Sequence, residues 1–175
     1  VYVERLKARC DSKNSALRAL VYDVSQPVPP EIPLGRADAV VCMNVLEHIE
    51  DDLNAYQHIA ALLAPGGRSI LLVPAFPWLY GTLDEAYRHF RRYQKAPLEA
   101  LTRKAGLEVE RTFYVNLAGI LGWWWSGKVR RRNILPARGL RLYHRLVPIF
   151  RWVEKISGPP FGLSLICIGR KPVSG

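Results

Sequence analysis

Residues 38–74 constrain the fold more than any other stretch of this chain. Residues 38–44 (DAVVCMN) are a continuous apolar run bounded by polar residues, the pattern of a buried parallel strand. Residues 51–64 (DDLNAYQHIAALLA) repeat apolar positions at helical spacing through Leu53, Tyr56, Ile59, Ala60 and Leu63. Asp51 and Asp52 are favourable at the start of such a helix, because its exposed N–H groups carry a partial positive charge. Pro65-Gly66-Gly67 stops it, and residues 68–74 (RSILLVP) are a second buried strand. Two apolar strands joined through a helix imply a parallel pair.

The flanking segments extend this pattern. Residues 1–10 read as the end of a helix with Val3 and Leu6 on one face. Residues 16–24 (ALRALVYDV) read as a strand ending at Asp23, followed by a Pro-rich loop from Gln26 to Gly35. After 68–74 comes an aromatic loop (AFPWLYGTLDEAYRHFRRY), then a helix over 97–105 ended by Gly106 and a strand over 107–115. Residues 117–157 are helical in character, basic and aromatic, and residues 163–169 (LSLICIG) give a last strand. The expected architecture is an α/β domain with a mostly parallel, Rossmann-like sheet. It is one domain over 1–175: a core over 1–115, a helical insertion over 116–160, and a final strand and tail over 161–175. A chain of 175 residues with 49% hydrophobic and 23% charged residues is an ordinary globular mix. Cys10, Cys42 and Cys167 lie far apart, which suggests neither a zinc site nor a disulfide framework, and fits a reducing, cytoplasmic compartment.

In open parallel sheets, ligands bind beyond the carboxyl ends of the strands. That places Asn44, Glu47 and His48 where a ligand would sit, with Asp23 on the same edge. The run NVLEHIEDD, followed by LLAPGGRSILLVPA, LYGTLDEAYRHFRRY, AGLEVE and FGLSLICIGRKP, resembles the class I S-adenosylmethionine-dependent methyltransferases of the small-molecule type. The resemblance implies that Asp23 bonds the adenine amino group and that Val24 packs beside the adenine. It implies that Asn44 and Val45 border the methionine part of the cofactor, and that His48 stands near the reacting methyl group as the catalytic candidate. Glu47 and His48 are also similar to metal-binding residues of the ubiquinone-type O-methyltransferases. There a further glutamate occupies the position of Asn44, so no metal is expected here. As plain structure, Asp23 is a turn residue, and Glu47 and His48 are groups hydrogen-bonded at a helix start.

The family's strand order is 3-2-1-4-5-7-6, and its glycine-rich first loop and second strand have no counterpart in these residues. Without strands 1 and 2, residues 38–44 become an exposed apolar edge, a site for unwanted pairing, unless residues 16–24 shift to pair with them. The chain also begins with Val. The expectation is therefore a fragment or a miscalled start, with weak cofactor binding.

Charge divides the chain. Residues 1–85 carry 7 Lys and Arg against 11 Asp and Glu, whereas residues 86–175 carry 18 against 4. An anionic partner in the second half follows. His89, Arg91, Arg92 and Tyr93 are candidate acceptor-binding residues, because arginines grip phosphate or carboxylate groups; the alternative is a solvated surface helix. Trp123, Trp124 and Trp125 with Arg130, Arg131 and Arg132 suit an anionic membrane surface. The uncharged run 112–127 has 16 residues, short of the roughly 20 that span a bilayer. A monotopic contact at the inner membrane face is expected, with a lid helix as the alternative. The functional reading is methyl transfer to a small-molecule or lipid-linked acceptor. A non-enzymatic membrane-surface module or decayed remnant is the competitor. Nucleic acid is the weakest option, because no recognised motif for it is present.

Overall fold

In a computed structural model of the chain, residues 19–134 and 160–173 are described, together with Arg5 and Phe150. Four strands form one sheet: β1 (Ala37–Met43), β2 (Leu63–Pro74), β3 (Glu108–Val115) and β4 (Ser164–Arg170). Their order is β1-β2-β4-β3. β1 and β2 are parallel, and β4 runs antiparallel to both β2 and β3. β1, β2 and β3 therefore point the same way. This is the 4-5-7-6 half of the expected sheet, with its reversed penultimate strand.

α1 (Asp52–Leu62) starts where the sequence places it: the Asp51 side chain accepts from the Asn54 N–H. The carbonyls at its other end are met by neighbours. Gly35 N–H donates to Ala61 O and Arg36 N–H to Leu62 O, while Lys171 Nζ donates to Ala60 O and Leu63 O. The chain then turns sharply through Gly66, whose φ of +81° suits a residue without Cβ. A Cβ on Gly67 would stand 2.7 Å from Ala37 O, so only glycine lets β2 approach the start of β1. α3 (Lys95–Lys104) ends before Gly106, at φ +85°.

α1 and α3 cover one face of the sheet. Leu46, Ala55, Tyr56, Ile59, Leu63, Leu71, Val73, Leu98, Leu107, Leu165 and Cys167 form the core between them. Its buried polar groups are paired. Tyr56 Oη lies 2.8 Å from Ser69 Oγ, and the Thr102 hydroxyl donates to Leu98 O. Burial pushes the Tyr56 phenol up to about 12.

Two expectations are corrected. Residues 19–24 form no strand; residues 16–18 and the expected helix end at 1–10 lie outside the described residues, apart from Arg5. A strand needs a neighbour for its N–H and C=O groups, and no described residue pairs with residues 19–24 or with the outer edge of β1. The segment instead closes a turn: Asp23 Oδ1 accepts from Ser25 N and Ser25 Oγ, and Gln26 N donates to Asp23 O. It docks on α1, where His58 Nδ1 meets Val24 O and Asn54 Nδ2 donates to Ser25 O. β1 is also not a buried strand, since only Cys42 is buried. Val41 and Met43 are 60% and 55% exposed, an apolar edge beside which no described strand lies. Much of the helical reading of 117–157 lies outside the described residues. The part described is α4 (Leu117–Trp124) and a π-helical turn, Trp125–Val129.

The excursion after β2 is held by one buried carboxylate. It contains a 3₁₀ turn at Pro77–Leu79 and a single-turn helix, α2 (Thr82–Ala86). Asp84 in α2 accepts from Gly81 N–H, His89 Nδ1, Arg92 Nε and Trp123 Nε1, at 2.8–3.2 Å. Arg92 also donates to Ala75 O and lies 4.7 Å from the Trp123 ring. Burial pushes the Asp84 carboxyl up, but the His89 hydrogen bond, the Arg92 charge and the Gly81 N–H together hold it below the usual value.

Removing one partner of a buried pair leaves the other charge stranded. Asp84→Asn should cost about 3–5 kcal/mol in urea unfolding near pH 7. Because the folded pKa is depressed, this stabilisation is complete above the unfolded value near ~3.9 and is lost as pH falls through the folded value. The wild-type advantage should therefore persist down to about pH 5 and close only in stronger acid. Leu98→Ala, deep in the core, should cost about 2–5 kcal/mol at every pH in the same assay.

Candidate functional site

Because β1, β2 and β3 are co-directional, the segments that follow them gather at one edge of the sheet. Asn44 leaves β1 in the left-handed region at φ +53°, which asparagine tolerates, while its N–H still donates to Leu72 O. The chain then tightens into a 3₁₀ turn at Leu46–His48. That turn buries Leu46 and Glu47 and leaves His48 exposed.

Glu47 is 1% exposed, and its Oε2 has no hydrogen-bond partner among the described residues. Burial raises its carboxyl above the usual range; its own backbone N–H and the charges of His89, His48 and Arg92 offset this only in part. The Glu47 carbonyl accepts from Phe90 N–H, which ties the turn to the second loop. The rings of His48 and His89 meet edge to face, with centroids 4.7 Å apart. One ligand atom each from Glu47, His48 and His89 fall within 4.8 Å of one another.

These residues stand beside a cleft of about 670 Å³, lined by His48, Tyr80, Glu85, Tyr87, Arg88, His89 and Phe90. That volume is in the range of small-molecule sites. The structure brings His48 and His89 together on it. Asp23 and Val24 lie instead on the turn docked against α1, with Asp23 exposed. Asn44 and Val45 are exposed at the end of β1. Arg91, Arg92 and Tyr93 spend their polar atoms within the protein. Arg91 pairs with Asp52 at 2.9 Å and donates to Glu50 O. The Tyr93 hydroxyl donates to Asp52, and Tyr93 N–H donates to Pro74 O.

Tyr80, Glu85 and the hub Asp84 escape the sequence reading. The available signal is an aspartate five residues before His89 and eight before Arg92, a spacing that a single helical turn and a return can close onto one point. The tryptophans divide. Trp123 turns inward to Asp84, whereas Trp124 and Trp125 are 42% and 50% exposed. Arg130 lies 5.4 Å from the Trp125 ring.

A family model described as "Methyltransferase domain" matches residues 7–112. A ubiquinone biosynthesis O-methyltransferase of Xanthomonas axonopodis pv. citri (strain 306) is 30% identical over 109 residues, which is 55% of this chain and 44% of that protein. The chain thus spans less than half the length of that relative. Among solved structures, the YcgJ protein of Bacillus subtilis is similar with TM-score 0.59 at 18% identity, over 99% of this chain and 79% of that one. The 1,6-didemethyltoxoflavin-N1-methyltransferase of Burkholderia thailandensis, solved with 1,6-didemethyltoxoflavin and S-adenosylhomocysteine, is similar with TM-score 0.54 at 18% identity, over 94% and 55%. At such identities these two likenesses show the fold alone. With more than half of its length under the family match, the chain belongs to the methyltransferase-domain family.

Proposed function

We propose that this chain serves S-adenosylmethionine-dependent methyl transfer to a small-molecule acceptor seated in the 670 Å³ cleft. The observation that carries the reading is the position of that cleft. It lies on the loops that follow β1 and β2, in a chain of the methyltransferase-domain family. Both hydrogen bonds to the Asp23 side chain fall on Oδ1, so Oδ2 can accept from an adenine amino group. Val24 gives an apolar flank, and the exposed, left-handed backbone at Asn44 and Val45 suits the methionine end. The glycine-rich loop has no counterpart in these 175 residues, so these groups hold the cofactor weakly.

When bound, the cofactor supplies a methyl group on a cationic sulfonium. The chain's own task is positioning, which removes most of the entropic barrier of a two-reactant step. His48, exposed on the cleft wall, receives the acceptor proton at a ring nitrogen. Arg88 pairs with an anionic group of the acceptor. Arg91, Arg92 and Tyr93 act on the acceptor through the loop they fix, and His89 touches it directly.

A second element concerns where the acceptor comes from. Exposed Trp124, Trp125 and Leu121 lie beside Lys128, Arg130, Arg131 and Arg132, with Trp123 as their inward anchor. Indoles favour the membrane interface, and cations favour anionic headgroups. This surface supports a lipid-linked acceptor met at the cytoplasmic membrane face. No helix among the described residues is long and apolar enough to cross a membrane. The non-enzymatic alternative keeps this surface and dispenses with the chemistry.

Two measurements separate these readings. Titrating S-adenosylhomocysteine into ¹⁵N-labelled protein should shift amide signals of Val24–Ser25 and Asn44–His48 first, and Asp23→Ala should weaken the response about 10-fold, as loss of a hydrogen bond to a charged group predicts. No shift at millimolar ligand, or shifts elsewhere, would sink the methyltransferase reading. Sedimentation with phosphatidylserine vesicles at low salt should capture the protein, and Trp124→Ala with Trp125→Ala should release it. Capture that ignores both substitutions would remove the membrane element.

A further inference from the structure

We propose that Glu47, His48 and His89 form a binding site for a divalent transition-metal ion of the zinc class. Two observations carry it independently. The first is the convergence of one carboxylate and two imidazoles, with ligand atoms within 4.8 Å, from turns 41 residues apart in sequence. The second is the Glu47 carboxylate itself, 1% exposed, with Oε2 left without a hydrogen-bond partner among the described residues. A buried carboxylate oxygen without a donor is costly, and a bound cation removes that cost.

The surroundings of His89 fit the same reading. Asp84 Oδ1 accepts from Arg92 Nε and lies 2.8 Å from His89 Nδ1, which donates to it. That leaves Nε2 as the ring nitrogen offered to an ion. Ligating histidines are held this way, with the far nitrogen donating to a carboxylate that fixes the tautomer and raises ligand basicity. Asp84 is in turn fixed by Gly81, Arg92 and Trp123.

The ligand set is two histidines and one carboxylate, not the two glutamates and one histidine that a glutamate in place of Asn44 would give. Imidazole ligands suit zinc, iron and nickel, while oxygen-only sets suit magnesium. Ligand atoms around a tetrahedral zinc stand about 3.3–3.5 Å apart. The ligand atoms, within 4.8 Å of one another, approach that spacing, and His48, the exposed ligand, has room to turn toward the other two. His48 and His89 also line the cleft, so a coordination position remains open toward an oxygen ligand there, and His48 takes the acceptor proton only in the metal-free protein.

The test is metal titration of the chelator-treated full chain by calorimetry, with Co²⁺ absorption in the visible as a report on coordination. The expected result is one equivalent of Zn²⁺, bound more tightly than Mg²⁺ by at least ~10-fold. His48→Ala, whose ring is exposed and whose fold is checked by circular dichroism, should weaken Zn²⁺ by at least ~10-fold, and Glu47→Gln should abolish the Co²⁺ band. No Zn²⁺ uptake, tighter Mg²⁺ than Zn²⁺, or Zn²⁺ affinity unchanged in both variants would overturn the proposal. None of these readouts needs the cofactor or an acceptor, so failure of the methyltransferase reading leaves this result intact.

Discussion

Asp84 sits on a single-turn helix of five residues and has no access to solvent. A buried carboxylate survives only where donors replace its hydration, and four groups from three segments do so: Gly81 N–H, His89, Arg92 and Trp123. Each bond closes a different gap. Gly81 fixes the start of α2, Arg92 brings the end of the excursion back to Ala75 beside β2, and Trp123 joins α4 to both. The excursion after β2 is 20 residues long and has little regular structure of its own. Apolar burial alone would not give such a loop one shape; the directional demands of an ionised group do.

The same constraint sets the geometry of the cleft. His89 cannot turn away while its Nδ1 is bonded to Asp84, so its ring stays edge-on to His48. Phe90 N–H bonded to Glu47 O then fixes the distance between the two loops. The wall of the cleft is thus a by-product of satisfying one buried charge. Loops that follow parallel strands are usually free to vary; here the two are tied together by the Phe90 N–H on Glu47 O and by the His48–His89 contact.

Much of the fold is legible in the sequence because its signals are local. The apolar runs at 38–44 and 68–74, the helical spacing over 51–64 and the glycines at 66, 67 and 106 each specify their element within a few residues. The strand reading of 16–24 failed over its described part for a non-local reason. Its apolar pattern suits a strand, but a strand needs a partner, and among the described residues there is none. The site is legible in its parts and not in its assembly. His48 was legible from its place after a strand, and His89 from an aromatic and cationic loop. Their meeting was not, because it depends on Asp84, whose sequence context is that of an ordinary helix-start acid. The expectation of no metal follows from Asn44, one position in a turn, and no spacing rule in the sequence announces the approach of His89, 41 residues after His48.

The tryptophan run shows how backbone geometry, not composition, decides what an aromatic residue does. In an α-helix, neighbouring residues point about 100° apart, so three consecutive indoles cannot share one environment. Trp123 is drawn to Asp84 and Arg92, which sends Trp124 and Trp125 outward. At Trp125 the helix widens to a π turn over Trp125–Val129, which buries Ser126 and Gly127, the latter against Leu83 of α2. The Thr82 hydroxyl lies 3.1 Å from Gly127 O and 2.7 Å from Arg132 O, and Gly127 packs on Leu83. Extra residues in a π turn change which faces meet the protein, and such turns concentrate at functional sites. Here the widened turn lets one side of the segment lock onto the hub while Trp124, Trp125, Lys128 and Arg130 stay in solvent. The backbone of the basic and aromatic segment is therefore anchored on α2 and Asp84, the same elements that fix His89 on the cleft wall.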